Sequence, residues 1–221
     1  MNNPEKRGDS TRMLLIQAGL ELFGEYGYKG TTTRMLADHS EANISAIPYY
    51  FGSKKGLYLE VMQHIVERMQ DNFGHASQSV RALLAQQPIN KADALETMKM
   101  IMRTMAKLFV ESDEPKAWVQ LIMREQAKPT EAFDIIYNGQ MRHVNQMYAA
   151  LIAVCTELDA DSAEVKLRCH ALIGQILIFV VSRESLLRNL GVTKLQPEHI
   201  QLIYRILTAH TEACLQVSLP E

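Results

Sequence analysis

Residues 31–58 carry the segment TTTRMLADHSEANISAIPYYFGSKKGLY, which decides the fold. Thr32 or Thr33 can act as the N-cap of a helix that turns Leu36 inward, because a hydroxyl oxygen accepts a hydrogen bond from a free amide of the first turn. The polar residues 40–43 follow, and a connection of this length sets two helices at a steep angle. The pattern predicts a helix-turn-helix motif.

The second helix of this motif contains a proline. Asn43 or Ser45 supplies its N-cap, and Ile47 and Phe51 are expected to face inward. In a helix interior, Pro48 would remove a backbone donor and crowd the preceding turn. With Ser45 as the N-cap, Pro48 falls in the first turn, where proline is tolerated. We therefore expect this helix to start late and to be short.

Helical patterns also flank the motif. Residues 1–9 form a polar arm, and Ser10 can cap a first helix whose apolar positions recur at helical spacing until the glycines near Gly30. Ser53 can cap a longer linker helix that runs to about residue 73. The sequence thus predicts a three-helix domain over residues 1–52.

The rest of the chain, residues 53–221, is expected to form a second helical domain. No segment alternates apolar and polar residues as a half-buried strand does. Prolines and polar clusters divide it into further helices with approximate spans 76–86, 92–111, 115–126, 130–157, 162–190 and 197–217. The predicted fold class is all-α.

Composition limits the classes of protein to which this chain can belong. The 221 residues are 47% hydrophobic, which is ample for a packed core, and the formal net charge is −2. Residues 1–55 hold seven basic and six acidic side chains, so attraction to nucleic acid must come from local placement of charge. The three cysteines are odd in number and widely spaced, which favours reduced core residues over disulfides or metal ligands.

No membrane segment is expected. The N-terminus is polar and unlike a signal peptide. The most apolar run, residues 171–181, is too short to span a bilayer. We therefore expect a soluble, cytoplasmic protein.

Three spaced motifs resemble the TetR family of bacterial transcriptional regulators. They are Leu22-Phe23-x-x-x-Gly27, Thr32-Thr33-Arg34 and Tyr49-Tyr50-Phe51-x-Ser53-Lys54, within about residues 10–58. A further match, Arg124-Glu125-Gln126-x-x-Pro129-Thr130-x-Ala132 with Asn43-Ile44 in the turn, is similar to the subgroup typified by CecR. The resemblance implies an N-terminal helix-turn-helix DNA-binding domain joined by a long linker helix to a C-terminal ligand-binding and dimerisation domain.

The resemblance also implies which residues contact a double-stranded DNA operator. Thr33, at a helix N-terminus, would bind phosphate, and Arg34 beside it would contact O6 and N7 of guanine. Lys54 would contact phosphate, although a solvated surface charge is the ordinary alternative for Arg34 and Lys54, and core packing is the alternative for the tyrosines. The expected DNA contacts are Thr32, Thr33, Arg34, Asn43, Ser45, Ala46, Pro48, Tyr49, Tyr50 and Lys54.

Two residues depart from the family pattern. Glu41 stands where the family usually has glycine, so Glu41 must adopt a positive φ or the turn must form without one. Pro48 occupies a position of the recognition helix where the family often has a polar side chain that contacts a base. Discrimination between operators is therefore expected to depend on Arg34, Tyr50 and DNA shape.

Twelve methionines are many for a chain of this length. Met98, Met102 and Met105 recur at helical spacing, and such a stripe is ordinarily core, although methionine also lines adaptable apolar cavities. The resemblance implies a pocket for a small hydrophobic or drug-like effector. Its expected lining is Met62, Met69, Met98, Met102, Met105, Trp118, Phe133, Tyr137, Met141 and Phe179, with Arg124, Gln140, His143, His170 or Gln175 as polar anchors.

Residues 171–181 are apolar on almost every face of their helix, and a helix buried all round needs cover on two sides. We expect this helix and the last one to form a four-helix bundle across a two-fold axis. The alternative is the central helix of a monomer. The expected interface residues are Ile176, Val180, Arg183, Leu187, Ile200, Tyr204 and Leu207.

Together these features predict a ligand-responsive repressor that binds a palindromic operator as a homodimer and is released by a small molecule. Activation instead of repression would depend on where the operator lies. The seven histidines lie singly on different helices, and the sequence has no HExxH, CxxC or Gly-rich phosphate loop. We therefore expect no catalytic residue, metal site or cofactor. A metal- or heme-responsive regulator of the same fold and, less favoured, an α-helical enzyme are the alternatives.

Overall fold

The computed structural model describes residues 4–86, 88–111 and 115–217, with the backbone alone for residues 4–9, 115 and 116. These residues form α-helices and two π-helical turns, and no β-strand occurs among them, which confirms the all-α class. The helices are α1 Pro4–Gly30, α2 Thr33–His39, α3 Ala46–Phe51, α4 Lys54–Leu84, α5 Lys91–Ala106, α6 Pro115–Ala127, α7 Glu131–Ile136, α8 Arg142–Thr156, α9 Ala163–Val181, α10 Arg183–Leu190 and α11 Pro197–Gln216.

Helix α1 begins before its predicted cap. Ser10 lies inside the helix, so its predicted role as N-cap is wrong, because Pro4 suits the first helical position. Residues 1–3 of the predicted arm lie outside the described residues. Regular helical geometry is interrupted at Gly27, whose φ of 72° is strained for any other residue. A Cβ at Gly27 would also lie 3.1 Å from Nη1 of Arg124, so this glycine admits that side chain.

The helix-turn-helix forms as its pattern indicates. The Thr32 hydroxyl oxygen accepts the amide of Met35 at 3.1 Å, which makes Thr32 the N-cap of α2. Glu41 has a φ of 52°, so of the two alternatives for this turn the one with a positive φ at Glu41 holds. Helix α3 is only 6 residues long, and Pro48 is its third residue. In the first turn, the missing proline amide has no intrahelical acceptor to lose.

Helix α4 is longer than predicted. Oγ of Ser53 accepts the amide of Gly56 at 3.0 Å, which confirms the predicted cap. The helix then continues to Leu84, so the separate helix predicted at 76–86 is wrong; an isolated glycine such as Gly74 does not end a helix. Gly56 is required at its start, because a Cβ there would lie 1.9 Å from the carbonyl oxygen of Phe51.

The C-terminal helices are more divided than predicted. Lys107–Glu111 after α5 and Tyr137–Met141 between α7 and α8 are π-helical turns, which 3.6-residue spacing does not reveal. The helix predicted at 162–190 breaks at Ser182, where α9 and α10 meet at a bend of 69°. Among the described helices, none is by itself long and apolar enough to cross a membrane, and α9 with α10 reaches that threshold only as a bent pair.

Contacts divide the chain into two compact units. Unit 1 comprises Met1–Gln70 and Lys116–Met141, and unit 2 comprises Asp71–Pro115 and Arg142–Glu221. In unit 1, α1 packs against α2 and α3; in unit 2, α5, α8, α9 and α11 pack together. This division differs from the predicted boundary after residue 52, since residues 116–141 group with the helix-turn-helix.

Candidate nucleic-acid interface

The start of α2 presents polar side chains to solvent. Thr32 is exposed at the N-cap, and Thr33 is half-buried at the first helical position. The Arg34 side chain is 86% exposed, and its Nε lies 3.9 Å from Oδ2 of Asp38, a surface ion pair that contributes little. The Arg34 guanidinium therefore keeps its fork of donors for a base edge or a phosphate.

The turn between α2 and α3 is closed by Asn43. Its side-chain oxygen accepts the amide of Ser45 at 2.9 Å and the hydroxyl of Ser45 at 2.8 Å. Its carbonyl oxygen accepts the amide of Ala46 at 2.8 Å. Asn43 therefore supplies the side-chain cap, since Ser45 makes no such bond. Both lone pairs of the Asn43 carboxamide oxygen are used within the turn.

The outer face of α3 is aromatic and apolar. Tyr49 is 81% exposed, Pro48 is exposed and Ala46 is half-buried. The half-buried Tyr50 ring meets the Tyr49 ring edge to face, with centroids 4.8 Å apart. Phe51, which was expected to face inward, is only half-buried, and the centre of its ring lies 5.7 Å from the guanidinium carbon of Arg12. Tyr49 is thus not a core residue.

Lys54 is engaged within unit 1. Its ammonium donates to the carbonyl oxygens of Tyr28 and Thr31, both at 2.9 Å, and lies 4.3 Å from the centre of the Tyr28 ring. These carbonyls belong to the end of α1 and the residue after it, where intrahelical partners are missing. An ammonium has three N–H donors, so Lys54 retains one for phosphate. Its contact with DNA stays a prediction, added to a structural role that the sequence did not reveal.

Other basic side chains nearby are paired with carboxylates. Nζ of Lys55 lies 2.8 Å from Oε1 of Glu131, and this hydrogen bond raises the pKa of Lys55. Arg12 is hydrogen-bonded to Glu60. The positive field around the helix-turn-helix is therefore weaker than the number of basic residues suggests.

Arg124 of α6 joins the end of α1. Its Nε donates to the Gly24 carbonyl oxygen at 3.2 Å, and its Nη2 donates to the Glu25 carbonyl oxygen at 2.9 Å. Both carbonyls lie in the last turn before the interruption at Gly27, and a cation there also opposes the negative end of the helix dipole. Its expected alternative role as a polar anchor in a ligand pocket is wrong, because the guanidinium is bound to α1.

Glu125, the next residue, is a buried acceptor that the sequence did not single out. It is 5% exposed and accepts the Tyr58 hydroxyl at 2.7 Å and the Thr130 amide and hydroxyl at 3.0 and 2.8 Å. Burial and the bond to the Glu125 carboxylate raise the pKa of Tyr58. The only signal in the sequence was the Arg124-Glu125 motif with Thr130, which matched by resemblance without a physical role.

Profiles of known families match both parts of this chain. The profile of bacterial regulatory proteins of the tetR family matches residues 15–61, and that of the C-terminal domain of the HTH-type transcriptional dual regulator CecR matches residues 94–217. The chain is 35% identical over 218 residues to CecR from Shigella flexneri, covering 98% of this chain and 97% of that protein. The chain belongs to the TetR family of bacterial transcriptional regulators. It is a DNA-binding transcription regulator and not an enzyme.

Solved structures share the fold of this TetR-family chain. AibR, in complex with isovaleryl coenzyme A and operator DNA, matches with a TM-score of 0.65 at 11% identity, over 90% of this chain and 97% of AibR. A putative fatty acid metabolism regulator from Clostridium perfringens matches with a TM-score of 0.61 at 13% identity, over 94% of this chain and 100% of that one. At such identities these likenesses describe the fold alone.

The residues expected to line an effector pocket fall in both units of this TetR-family regulator. In unit 1, Met62, Met69 and Trp118 are buried, whereas Phe133 and Tyr137 stack with centroids 5.9 Å apart. Met141, also in unit 1, is half-buried. In unit 2, the buried residues are Met98, Met102 and Met105, and Phe179 is half-buried. The methionine stripe therefore packs as core, and its role toward a ligand stays a prediction.

Two buried donors in unit 2 lack good acceptors. The hydroxyl of Tyr148, a fully buried residue, donates to Sδ of Met105 at 2.8 Å and Sδ of Met102 at 3.3 Å, and thioether sulfur is a weak acceptor. The amide nitrogen of Gln175 is enclosed and has no hydrogen-bond partner among the described residues. Such groups are costly unless something else satisfies them.

Two of the predicted dimer contacts are wrong. Ile176 is 0% exposed and Leu207 is 2% exposed within one chain, because both pack among the helices of unit 2. Arg183 donates to the Val110 carbonyl oxygen at 3.3 Å, and Tyr204 bonds to Glu111, so both have partners in the same chain. Val180, Leu187 and Ile200 are half-buried.

A different apolar surface is exposed on the same two helices. On α9 it consists of Leu167, Ala171, Gly174, Ile178 and Val181, and on α11 of Leu202, Ile206, Ala209 and Ala213. Both sets follow the i, i+4, i+7, i+11 spacing of one helix face. Over the part of the chain that the structure describes, no group of three or more His, Cys, Asp or Glu side chains is placed to hold a metal ion.

The bond between Tyr58 and Glu125 should couple their contributions to stability. Glu125→Ala leaves the buried Tyr58 hydroxyl unpaired and should lower the free energy of unfolding by about 2 kcal/mol. In a double-mutant cycle with Tyr58→Phe, urea unfolding should give a coupling of about 1 kcal/mol. Glu131→Ala, which removes only the exposed pair with Lys55, should cost less than about 1 kcal/mol. Purely additive losses would contradict the coupling.

Proposed function

We propose that this TetR-family regulator is a cytoplasmic repressor that binds a palindromic operator as a homodimer and leaves it when a small molecule binds unit 2. The observation that carries the proposal is the contrast within unit 1. Arg34 and Tyr49 project into solvent from the helix-turn-helix, while Lys54, Arg124 and Glu125 hold the surrounding helices by buried or half-buried bonds. A rigid frame with exposed contact groups is what recognition of a major groove requires.

The exposed surface of α9 and α11 supports a homodimer. Its members form one continuous apolar face on each helix, and the two helices pack against each other in unit 2. A second copy of the same surface would complete a four-helix bundle about a two-fold axis. Such symmetry suits an operator with two half-sites about 34–36 Å apart.

Ile178→Lys tests this dimer. The side chain is 52% exposed in one chain, and a lysine there would bury an unpaired charge at the interface. The dimer dissociation constant, measured by sedimentation, should rise at least about 100-fold, and operator affinity should fall with it. Gln146→Lys, on the exposed face of α8, should change neither value. An unchanged dimer in the Ile178 variant would refute this interface.

Arg34 and Lys54 are expected to act differently on an operator selected from random DNA. Arg34→Ala should leave stability unchanged and lower discrimination at one base pair by roughly tenfold or more. Lys54→Ala should weaken binding to every sequence and lower the salt slope by about 1 per subunit. It should also lower the free energy of unfolding by about 1 kcal/mol, since Tyr28 and Thr31 lose a donor.

Lys194→Ala, an exposed change in unit 2, is the control for loss of charge. It should alter neither stability, salt slope nor discrimination. If Arg34→Ala weakens binding to all DNA sequences equally, Arg34 contacts only phosphate. If no sequence is enriched from the random pool, the proposed operator binding is wrong.

The effector would bind beside Met102 in unit 2. The Tyr148 hydroxyl lies 3.3 Å from Sδ of Met102. The Tyr148 hydroxyl and the Gln175 amide are two underused donors in the adaptable interior of unit 2, which suits a mostly apolar molecule with a hydrogen-bond acceptor.

Gln175→Leu distinguishes a ligand anchor from a structural bond. Removing an unsatisfied amide should raise the free energy of unfolding of the ligand-free protein by about 1 kcal/mol. Compounds that raise the melting temperature of the wild type and release its operator should act more weakly on this variant. Leu83→Met, a buried change of similar volume in unit 2 outside the expected pocket lining, should keep the response. Clear destabilisation by Gln175→Leu would mean that its amide already has a structural partner.

A further inference from the structure

The recognition segment of this regulator has few polar groups left for base contacts. Asn43 would need both its carboxamide oxygen and its nitrogen to contact adenine in the usual bidentate way. Its oxygen already accepts two hydrogen bonds, from the amide and the hydroxyl of Ser45, at 2.9 and 2.8 Å. The same bonds occupy the Ser45 hydroxyl hydrogen. A bidentate contact of Asn43 with adenine, or donation by the Ser45 hydroxyl to a base, would therefore break the cap of α3.

Two side chains of this segment, which comprises residues 43–51, are exposed and apolar. Ile44, between the two capping residues, is 50% exposed, and Pro48 is exposed one helical turn further on. Half of this large apolar side chain is therefore open to solvent just before the recognition helix. In a major groove, the matching apolar group is the C5 methyl of thymine.

The backbone around Ile44 is firmly held. The amide of Ser45 donates to the Asn43 side chain, and the amide of Ala46 donates to the Asn43 carbonyl oxygen at 2.8 Å. Both hydrogen bonds span Ile44, because they join Asn43 before it to the residues after it. The amide of Ile47 also donates to the Ile44 carbonyl oxygen at 3.4 Å. A β-branched side chain has few χ1 rotamers, so Ile44 is presented with little freedom to lose on binding.

We infer that Ile44 is a specificity-determining residue that contacts a thymine methyl group in each operator half-site. This inference rests on operator binding and adds the chemistry of one contact to it. The N-terminal part of a recognition helix is the part that meets base edges, and Ile44 lies two residues before the first residue of α3. Discrimination by this protein then depends on removal of thymine methyl from water as well as on the hydrogen bonds of Arg34.

The test removes single methyl groups from the DNA. Each thymine of the selected operator is replaced in both half-sites by deoxyuridine, which keeps the base pair and lacks the C5 methyl. Full-length protein is titrated by fluorescence anisotropy. At one position the wild type should lose about fourfold in affinity per half-site, or about fifteenfold in total, from burial of one methyl group. Ile44→Ala should bind the thymine and deoxyuridine operators equally at that position.

The matched control is Leu14→Ala. Leu14 is 51% exposed, in the same unit, and lies on α1 outside the recognition segment. This variant should keep the full difference in affinity between the thymine and deoxyuridine operators. Ile44→Val should keep most of that difference. Melting temperatures of the variants and their affinities for random DNA verify that folding and phosphate contacts are intact.

Three results would overturn the inference. If deoxyuridine leaves the affinity of the wild type unchanged at every position, the protein contacts no thymine methyl group. If Ile44→Ala still binds the thymine operator more tightly than the deoxyuridine operator, another residue contacts the methyl group, and Pro48 is the next to be changed. An equal loss by Ile44→Ala on all sequences means that Ile44 packs against the DNA backbone. Failure to select any operator is a separate result, which would contradict the proposed function and this contact with it.

Discussion

The carbonyl groups at the end of α1 are the constraint on which unit 1 depends. Gly27 interrupts the helix, and backbone oxygens before and after it lose their intrahelical partners. Two cations from distant parts of the chain supply donors: Arg124 binds the carbonyls of Gly24 and Glu25, and Lys54 binds those of Tyr28 and Thr31. Both also face the negative end of the helix dipole. The helix-turn-helix is thereby tied to α4 and to α6.

This arrangement explains how a DNA-binding protein manages with so little positive charge. Lys54 and Arg124 serve the backbone of α1, and Lys55 and Arg12 are paired with Glu131 and Glu60. Phosphate attraction is consequently modest, and in the proposed homodimer affinity would come from two linked copies and from close fit in the groove. An apolar recognition surface with one exposed arginine is consistent with that balance.

In unit 2, residues of α9 and α11 that were expected at a dimer interface are buried within one chain, and a different face of each helix is exposed. The sequence is so apolar around α9 that periodicity does not distinguish its inner face from its outer one. Ile176 and Leu207 fill the core, whereas Ile178 and Leu202 remain outside. Which face is buried within one chain is decided by packing against α5 and α8. Helix patterns that are apolar on every side leave that choice open.

Local signals in the sequence were sufficient for the helix-turn-helix. The Thr32 and Ser53 caps, the positive φ of Glu41 and the short helix around Pro48 follow from groups a few residues apart. The family motifs were likewise visible as residues at fixed spacing, and the profile matches bear them out.

Only the tertiary structure decided how distant groups combine. The partners of Lys54, Arg124 and Glu125, about 25 to 100 residues away, and the enclosed amide of Gln175 depend on how helices pack. The sequence by itself therefore determined the all-α class, the helix-turn-helix with its caps at Thr32 and Ser53, and the family. The tertiary structure decided which charges stay available for DNA and which apolar faces stay exposed, because hydrogen-bond satisfaction and burial are properties of the packed chain.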